Sequence, residues 1–421
     1  MRRASAVVVA STVLAGFTLS THPPTASAAA ATPAPVGYSA YGYGTYVSSS
    51  LAALNSGATG YSVISCTTTS NLTNSNQVAS VDLGKVGKVG TDYSQSRSIL
   101  DASGRTSQGI AQISGVNLLG GLITSTSLKT TSRATYTPSK TSYGSNSTAF
   151  VGIKVAGKGF ASGVGPNTKV ALALGGKPFA SVVLNEQSQA KVNGLTQAVT
   201  TGIHVTVTNS NSMGLPIGTT VYIGRSYAAL KGTPAGFATG SAYGTQATLS
   251  GSVKSGPTAL AGVACDGGDR TVSVASSAIP SLLSLGAVKS TTSSVATPKL
   301  TSSATNQISG LNVLSSLIGA RTITASTTTS RTSFTSAATF TDTSGFVGLK
   351  IAGMPSITDS VKPNTTITLS QLGTVTLHKV TKTATGIRVV MVSITLDKAL
   401  GNLAKGTLVE IGVSNTGVQN R

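Results

Sequence analysis

The chain has 421 residues, with 30 Lys+Arg against 10 Asp+Glu, and carries a formal charge of +20 on only 10% charged residues. With 39% hydrophobic residues and a mean hydropathy of +0.22, it holds enough apolar matter for packed cores, which excludes a disordered polyelectrolyte. Trp is absent, aromatics make up 5%, Gly numbers 48, and Ser and Thr crowd nearly every segment. That composition favours strands and turns over long helices, so the predicted class is all-β, with β-sandwich-like domains.

Residues 1–28 read as a secretory signal peptide. Arg2 and Arg3 form a positive start, Ala6 to Leu19 supply an apolar run, and Ala26-Ser27-Ala28 offers small residues for cleavage. Export is the expectation, to the exterior or to a loose association with the cell envelope. No other stretch has the 18 or more apolar residues that a membrane helix needs, so no transmembrane segment is expected in the mature chain.

Past residue 36 the sequence repeats itself. Ile113-Ser-Gly-Val-Asn-Leu-Leu-Gly-Gly-Leu-Ile123 returns as Ile308-Ser-Gly-Leu-Asn-Val-Leu-Ser-Ser-Leu-Ile318, and Phe150-Val-Gly-Ile-Lys-Val-Ala-Gly157 as Phe346-Val-Gly-Leu-Lys-Ile-Ala-Gly353. In the same order, Pro166-Asn-Thr168 returns as Pro363-Asn-Thr365, Thr201-Gly-Ile-His-Val205 as Thr385-Gly-Ile-Arg-Val389, and Gly218-Thr-Thr-Val-Tyr-Ile-Gly224 as Gly406-Thr-Leu-Val-Glu-Ile-Gly412. Ser39-Ala-Tyr-Gly42 is likewise answered by Ser241-Ala-Tyr-Gly244. Two tandem homologous domains are expected, 36–230 and 241–421, joined by a Gly- and Pro-containing linker at 231–240.

Period-2 alternation marks the strands. Val151, Ile153 and Val155 are expected to face a core, as are Val347, Leu349 and Ile351. Ile203, Val205 and Val207, answered by Ile387, Val389 and Met391, mark a second strand, and Val221 and Ile223, answered by Val409 and Ile411, a third. Pro166-Asn167 and Pro363-Asn364 are turn signals. Residues 116–123 fit either a short helix or a buried strand.

These motifs, together with Val182-Val-Leu-Asn-Glu-Gln187, resemble an actinobacterial family of exported proteins called choice-of-anchor P proteins. The resemblance implies a surface-related role for an exported protein and no established activity. It runs over most of the mature chain, twice.

Catalytic signatures are sparse, and a non-enzymatic protein without cofactor or metal is expected. Beyond the leader only His204 and His378 remain, and both are read as solvated surface residues. His-Glu-x-x-His, Cys-x-x-Cys, Gly-x-Ser-x-Gly and phosphate-loop patterns do not occur. The acids (Asp82, Asp92, Asp101, Glu186, Asp266, Asp269, Asp342, Asp359, Asp397 and Glu410) offer no pair that stands out as a glycosidase dyad, and Asp266-Gly-Gly-Asp269 reads as a turn. A secreted carbohydrate-active enzyme or a glycan-binding module is the alternative reading.

Tyr38, Tyr41, Tyr43 and Tyr46 crowd one Gly-rich segment, and exposed Tyr rings stack on sugars; an aromatic first strand explains the same residues. The cations are scattered rather than gathered into basic runs, which points away from nucleic acid and toward anionic cell-wall polymers or glycans as partners. Cys66 and Cys265, the only cysteines, stand at comparable places in the two copies. An oxidising exterior favours a disulfide between them, which requires side-by-side copies.

Overall fold

The structure, a computed structural model, describes residues 37–420 apart from 51–55, 79, 233–235, 250–251, 256, 265–266, 275, 280–281, 297–298, 334–335 and 402. The leader at 1–28 and Cys265 therefore lie outside the described residues, and Cys66 is placed by its backbone alone. The described elements are strands and two three-residue 3-10 turns, so the chain is all-β. Among the described residues no helix is long and apolar enough to cross a membrane.

The N-terminal half opens with β1 (Gly37–Ser48) and β2 (Ser62–Thr67). A meander follows of β3 (Asp92–Asp101), β4 (Gly104–Leu118), β5 (Ile123–Tyr136) and β6 (Ser142–Val151). It then returns through β7 (Thr168–Leu174), β8 (Lys177–Val192), β9 (Leu195–Val207) and β10 (Thr220–Lys231). One sheet has the order β7-β8-β9-β10-β1-β2, and the meander forms the heart of the other. The C-terminal half follows the same plan. Its first strand is β11 (Gly236–Leu249), its meander is β12 (Val288–Val295), β13 (Leu300–Val313) and β14 (Ile318–Arg331), and its return strands are β15 (Thr365–Leu369), β16 (Gly373–Lys382), β17 (Gly386–Leu396) and β18 (Leu408–Asn420). Here too the return strands line up as β15-β16-β17-β18-β11. Pairing is antiparallel throughout, which lets each sheet bury one face in its sandwich.

Each core has two regions of different chemistry. Ile113, Leu128, Phe150, Leu184, Ile203 and Ile223 fill the apolar region of the first sandwich, and Ile308, Ile323, Leu377, Val392 and Ile411 that of the second. In the other region the sheets are joined by buried hydroxyls: Ser132 meets Thr200 (2.8 Å) and Ser226 (3.0 Å), while Thr327 meets Ser414 (2.6 Å) and Thr329 meets Thr416 (2.9 Å). Small residues are required there because the backbones come close; a Cβ on Gly109 would sit 2.4 Å from the carbonyl oxygens of Tyr41 and Tyr227. Much of the Ser and Thr therefore lies inside. In β3 the inward residues Asp92, Ser94, Ser96 and Ser98 are all polar and fully buried.

A bulge-like interruption runs across each first sheet as one row of residues. Partners align as Thr45↔Ile223↔Ile203↔Leu184 on one side of it and Tyr43↔Arg225↔Thr201↔Glu186 on the other with the register kept, so Gly44, Gly224, Gly202 and Asn185 lie opposite one another between the paired rows. In the second half Thr245↔Ile411↔Val392↔Leu377 and Tyr243↔Val413↔Val390↔Lys379 leave Gly244, Gly412, Met391 and His378. Gly224 and Gly412 take the left-handed conformation (φ 65 and 64) that glycine adopts freely, and Asn185 and His378 share it (φ 52 and 46). The bulge reverses which residues face inward.

Several expectations change on this frame. Ile203 corresponds to Val392, not to Ile387, so the Thr201–Val205 match with Thr385–Val389 is out of register. Likewise Tyr43-Gly44-Thr45 corresponds to Tyr243-Gly244-Thr245, because Thr45 faces Ile223 and Thr245 faces Ile411. Val151 and Val347 are exposed (56% and 47%) where a core position was expected, because Gly152 and Gly348 (φ 63 and 68) kink the chain and turn Phe150 and Ile153, like Phe346 and Leu349, inward. Residues 116–123 are neither helix nor continuous strand: β4 and β5 meet at a turn around Leu119–Gly121. The expected linker at 231–240 is mostly strand, since Lys231 ends β10 and Gly236 already pairs with Asn420. Pro166-Asn167 and Pro363-Asn364 do form turns, and each is tied to the bulge: Asn167 N–H donates to Asn185 O (2.9 Å) and Asn364 N–H to His378 O (2.9 Å).

The halves lie side by side. A Cβ on Gly57 would meet Ala259 N at 3.1 Å and the Val274 side chain at 3.8 Å, and β2 runs against β11.

Candidate functional site on the outer face of the first sheet

Strand alternation divides the four tyrosines of β1. Tyr38 and Ala40 point into the sandwich, and Tyr38 is fully buried, its hydroxyl hydrogen-bonded with Ser70 Oγ (2.9 Å) and donating to Ile99 O (3.3 Å). It cannot stack on an external sugar. Tyr41 and Tyr43 point outward, and the bulge at Gly44 brings Tyr46 to the same side instead of the core. Tyr43 is only 9% exposed, leaving Tyr41 and Tyr46 as the two rings of the expected set that are part open.

Register then adds residues from distant strands. Tyr41 lies opposite Tyr227 with the rings stacked at 4.7 Å, and Tyr61 stacks on both Tyr41 (5.9 Å) and Tyr43 (6.4 Å). Beyond the bulge runs the row Tyr46↔Tyr222↔His204. His204 stacks on Tyr222 at 4.5 Å, and the Arg225 guanidinium lies over the same Tyr222 ring at 4.9 Å. Burial pushes the Tyr43 and Tyr61 hydroxyls well above the ordinary tyrosine range, so these rings stay neutral.

Beside Tyr222 lies a groove of about 260 Å³ that includes Glu186, Gln187, Thr201 and Arg225. Glu186 Oε1 is 3.1 Å from His204 Nδ1, and His204 Nε2 is 3.3 Å from Thr206 Oγ1. The hydrogen bond from His204 holds the Glu186 carboxyl below the usual range. One face thus combines open aromatic edges, a cation, a carboxylate and hydroxyls, the mixture suited to polar rings with apolar faces.

The histidines are not solvated surface groups. Their side chains are 18% and 13% exposed, each against a carboxylate, with His378 Nε2 2.9 Å from Asp342 Oδ2. At the place of the first sheet's tyrosines the second carries an ion pair: Arg388 donates to both Glu410 oxygens (2.9 and 2.7 Å) and to Tyr243 Oη (3.0 Å). Among the described residues, no group of three or more His, Cys, Asp or Glu gathers as metal ligands. Asp269 is exposed at the start of the strand Gly268–Val274, and Asp266 is outside the described residues. Of the residues missed by sequence reading, Tyr222, Arg225 and Tyr227 carried a signal in Val221-Tyr-Ile-Gly-Arg-Ser-Tyr227, where a glycine in an alternating strand marks a change of face. Compared with protein-family models, curated proteins and solved structures, the chain matches none.

Proposed function

We propose that this chain is an exported, non-enzymatic, adhesive or structural protein of the cell envelope, built as a tandem repeat of β-sandwiches, that holds envelope glycan on the outer face of its first sheet. The carrying observation is the row Tyr46↔Tyr222↔His204, with Arg225 over Tyr222 and a groove beside it. The leader-like 1–28 segment and the resemblance to choice-of-anchor P proteins support the location; the like strand orders of the two halves support the repeat. An excess of cations adds attraction to anionic envelope polymers, and the chain lacks the basic runs of a nucleic-acid binder. A groove of about 260 Å³ falls below the roughly 300–1,000 Å³ of drug-sized ligand sites and suits a single sugar ring. Trp is absent and this face carries Tyr41, Tyr43, Tyr46, Tyr61, Tyr222 and Tyr227 of the 11 tyrosines, so the face contributes a large share of the intrinsic fluorescence. Titration with soluble peptidoglycan fragments is expected to change that fluorescence saturably, and the change is expected to vanish in Tyr46→Ala/Tyr222→Ala. An unchanged titration in that variant contradicts the assignment.

A second reading, a secreted carbohydrate-active enzyme, is favoured by one observation, the line Thr206–His204–Glu186, in which a hydroxyl, an imidazole and a carboxylate follow one another at 3.3 and 3.1 Å. Release of soluble sugar from cell-wall glycan, abolished in His204→Ala, is the result that would establish it.

A further inference from the structure

The opposite sheet of the first sandwich carries a second site of different chemistry. On its outer face, register sets Arg97↔Gln108↔Arg133↔Ser145 in one line, and two residues along from Ile110↔Thr131 it sets Gln112↔Lys129. Arg97, Lys129 and Arg133 line a groove of about 430 Å³ whose floor includes Gln108 and Ile110. Gln108 is 2% exposed, and because the guanidinium only donates, the Gln108 amide is assigned with its oxygen toward Arg133, where it accepts from Nε (2.6 Å) and Nη2 (2.9 Å). A neutral carbonyl thus fixes Arg133 without cancelling its charge. Among the described residues none of the three cations forms an ion pair. Asp101, the acid whose field reaches Arg133, is engaged by Ser103 Oγ (2.6 Å) and Ser103 N–H (2.9 Å).

The second sandwich shows that the fold does not need these cations. Its corresponding line is Ser293↔Ser303↔Thr328↔Thr341, with Ser303 Oγ 3.1 Å from Thr328 Oγ1, and Thr324 stands where Lys129 does. Among the described residues of these two lines the cation is Lys289, at the place of Tyr93. Among the described residues no acid lines the groove in the first sandwich, so an anion entering it meets positive charge that no carboxylate cancels. Strands about 4.8 Å apart place the Arg97 and Arg133 backbones roughly 10 Å apart, and a rise of about 3.4 Å per residue places Lys129 roughly 14 Å from Arg133. Their long side chains line one groove, and its volume of about 430 Å³ is more than a single phosphate or carboxylate group needs.

We propose that this groove binds a segment of a linear polyanion, a polymer bearing phosphate or carboxylate groups that Arg97, Lys129 and Arg133 engage. The inference rests on the envelope reading only for where such a polymer would be met.

The test is calorimetric titration of the full chain with inorganic polyphosphate, polygalacturonate and neutral dextran. The groove variant Arg97→Ser/Lys129→Thr/Arg133→Thr copies the residues of the second sandwich, which protects its folding, and Arg97→Ser alone serves as a milder version. Lys169→Ser/Lys177→Ser/Lys191→Ser removes equal charge elsewhere. The expected result is binding of at least one polyanion but not dextran, weakened about tenfold or more in the groove variant with a shallower salt dependence, and nearly unchanged in the charge-matched control. Whichever polyanion binds more tightly names the anionic group. Equal weakening in both variants overturns the groove and leaves diffuse attraction, which the envelope reading accommodates. Absence of binding by the unaltered chain also overturns it, while retention on cell-wall glycan tests the envelope reading separately.

Discussion

The Asp92 carboxyl occupies the space above Gly44: a Cβ on Gly44 would lie 1.9 Å from Asp92 Cγ. Asp92 is fully buried, accepts one hydrogen bond, from Thr59 Oγ1 (2.6 Å), and its Oδ1 has no partner. Burial pushes its pKa up to about 7, with the Thr59 hydrogen bond opposing. In the second sandwich Val288 stands over Gly244 in the same way, its Cγ1 2.6 Å from where a Cβ would be. A carboxyl raised in the folded state binds a proton that the unfolded chain has released, so stability falls as pH rises from about 4 to about 7 and stays low above that. Asp92→Val is therefore expected to stabilise at pH 8 by about 2–4 kcal/mol, with the gain shrinking as pH falls from about 7 to about 4. Urea unfolding across pH checks this; a gain independent of pH contradicts the assignment. Gly44→Ala is expected to destabilise by crowding Asp92, on the order of 1–3 kcal/mol.

The Arg388–Glu410 pair is bidentate, and Glu410 is 8% exposed. Glu410→Ala leaves a guanidinium half-buried beside Tyr243 and is expected to cost about 2–3 kcal/mol. Arg388→Met/Glu410→Leu removes both charges and is expected to recover most of that loss, because desolvation offsets much of the attraction in such pairs. A double-mutant cycle in denaturant measures both; a double variant worse than either single one contradicts the reading.

The all-β class was legible because Ser, Thr, Val and Gly dominate, and the turns at Pro166-Asn167 and Pro363-Asn364 because their residue types demand left-handed backbone at Asn (φ 57 and 62). The register of the repeat was not. Thr201–Val205 and Thr385–Val389 look alike, yet cross-strand pairing with Ile223 and Ile411 sets the correspondence, and pairing is not written within one strand. The site was half legible for the same reason. Alternation separates Tyr38 from Tyr41 and Tyr43, whereas Tyr46 joins the outer face only through the bulge at Gly44, and Tyr222, Arg225 and His204 arrive from β10 and β9. In β3 apolar periodicity fails outright, because its buried positions are Asp92, Ser94, Ser96 and Ser98.

The buried and open tyrosines are expected to separate in their effects. Tyr38→Ala opens a cavity and strands the partners of its hydroxyl, at a cost of about 3–5 kcal/mol. Tyr46→Ala/Tyr222→Ala is expected to change stability by about 1 kcal/mol or less while abolishing glycan binding. Thermal melts beside glycan titrations separate the two; a large loss of stability in the second variant makes those rings structural.

We propose a Cys66–Cys265 bridge on the ground that β2, which carries Cys66, contacts β11 of the other half. Closing a loop of that length would stabilise by at most about 5 kcal/mol on the chain-entropy view. Mass spectrometry of the unreduced, alkylated protein is expected to show a two-dalton deficit and no adduct; two labelled thiols after unfolding contradict the bridge.

Retention on purified peptidoglycan sacculi over a salt series decides whether the protein grips envelope glycan through the outer face of its first sheet. A fraction of the protein is expected to stay bound in about 1 M salt, where the screening length is only about 3 Å, and this fraction is expected to disappear in Tyr46→Ala/Tyr222→Ala. Retention lost entirely to salt, or equal in the variant and the unaltered chain, contradicts it.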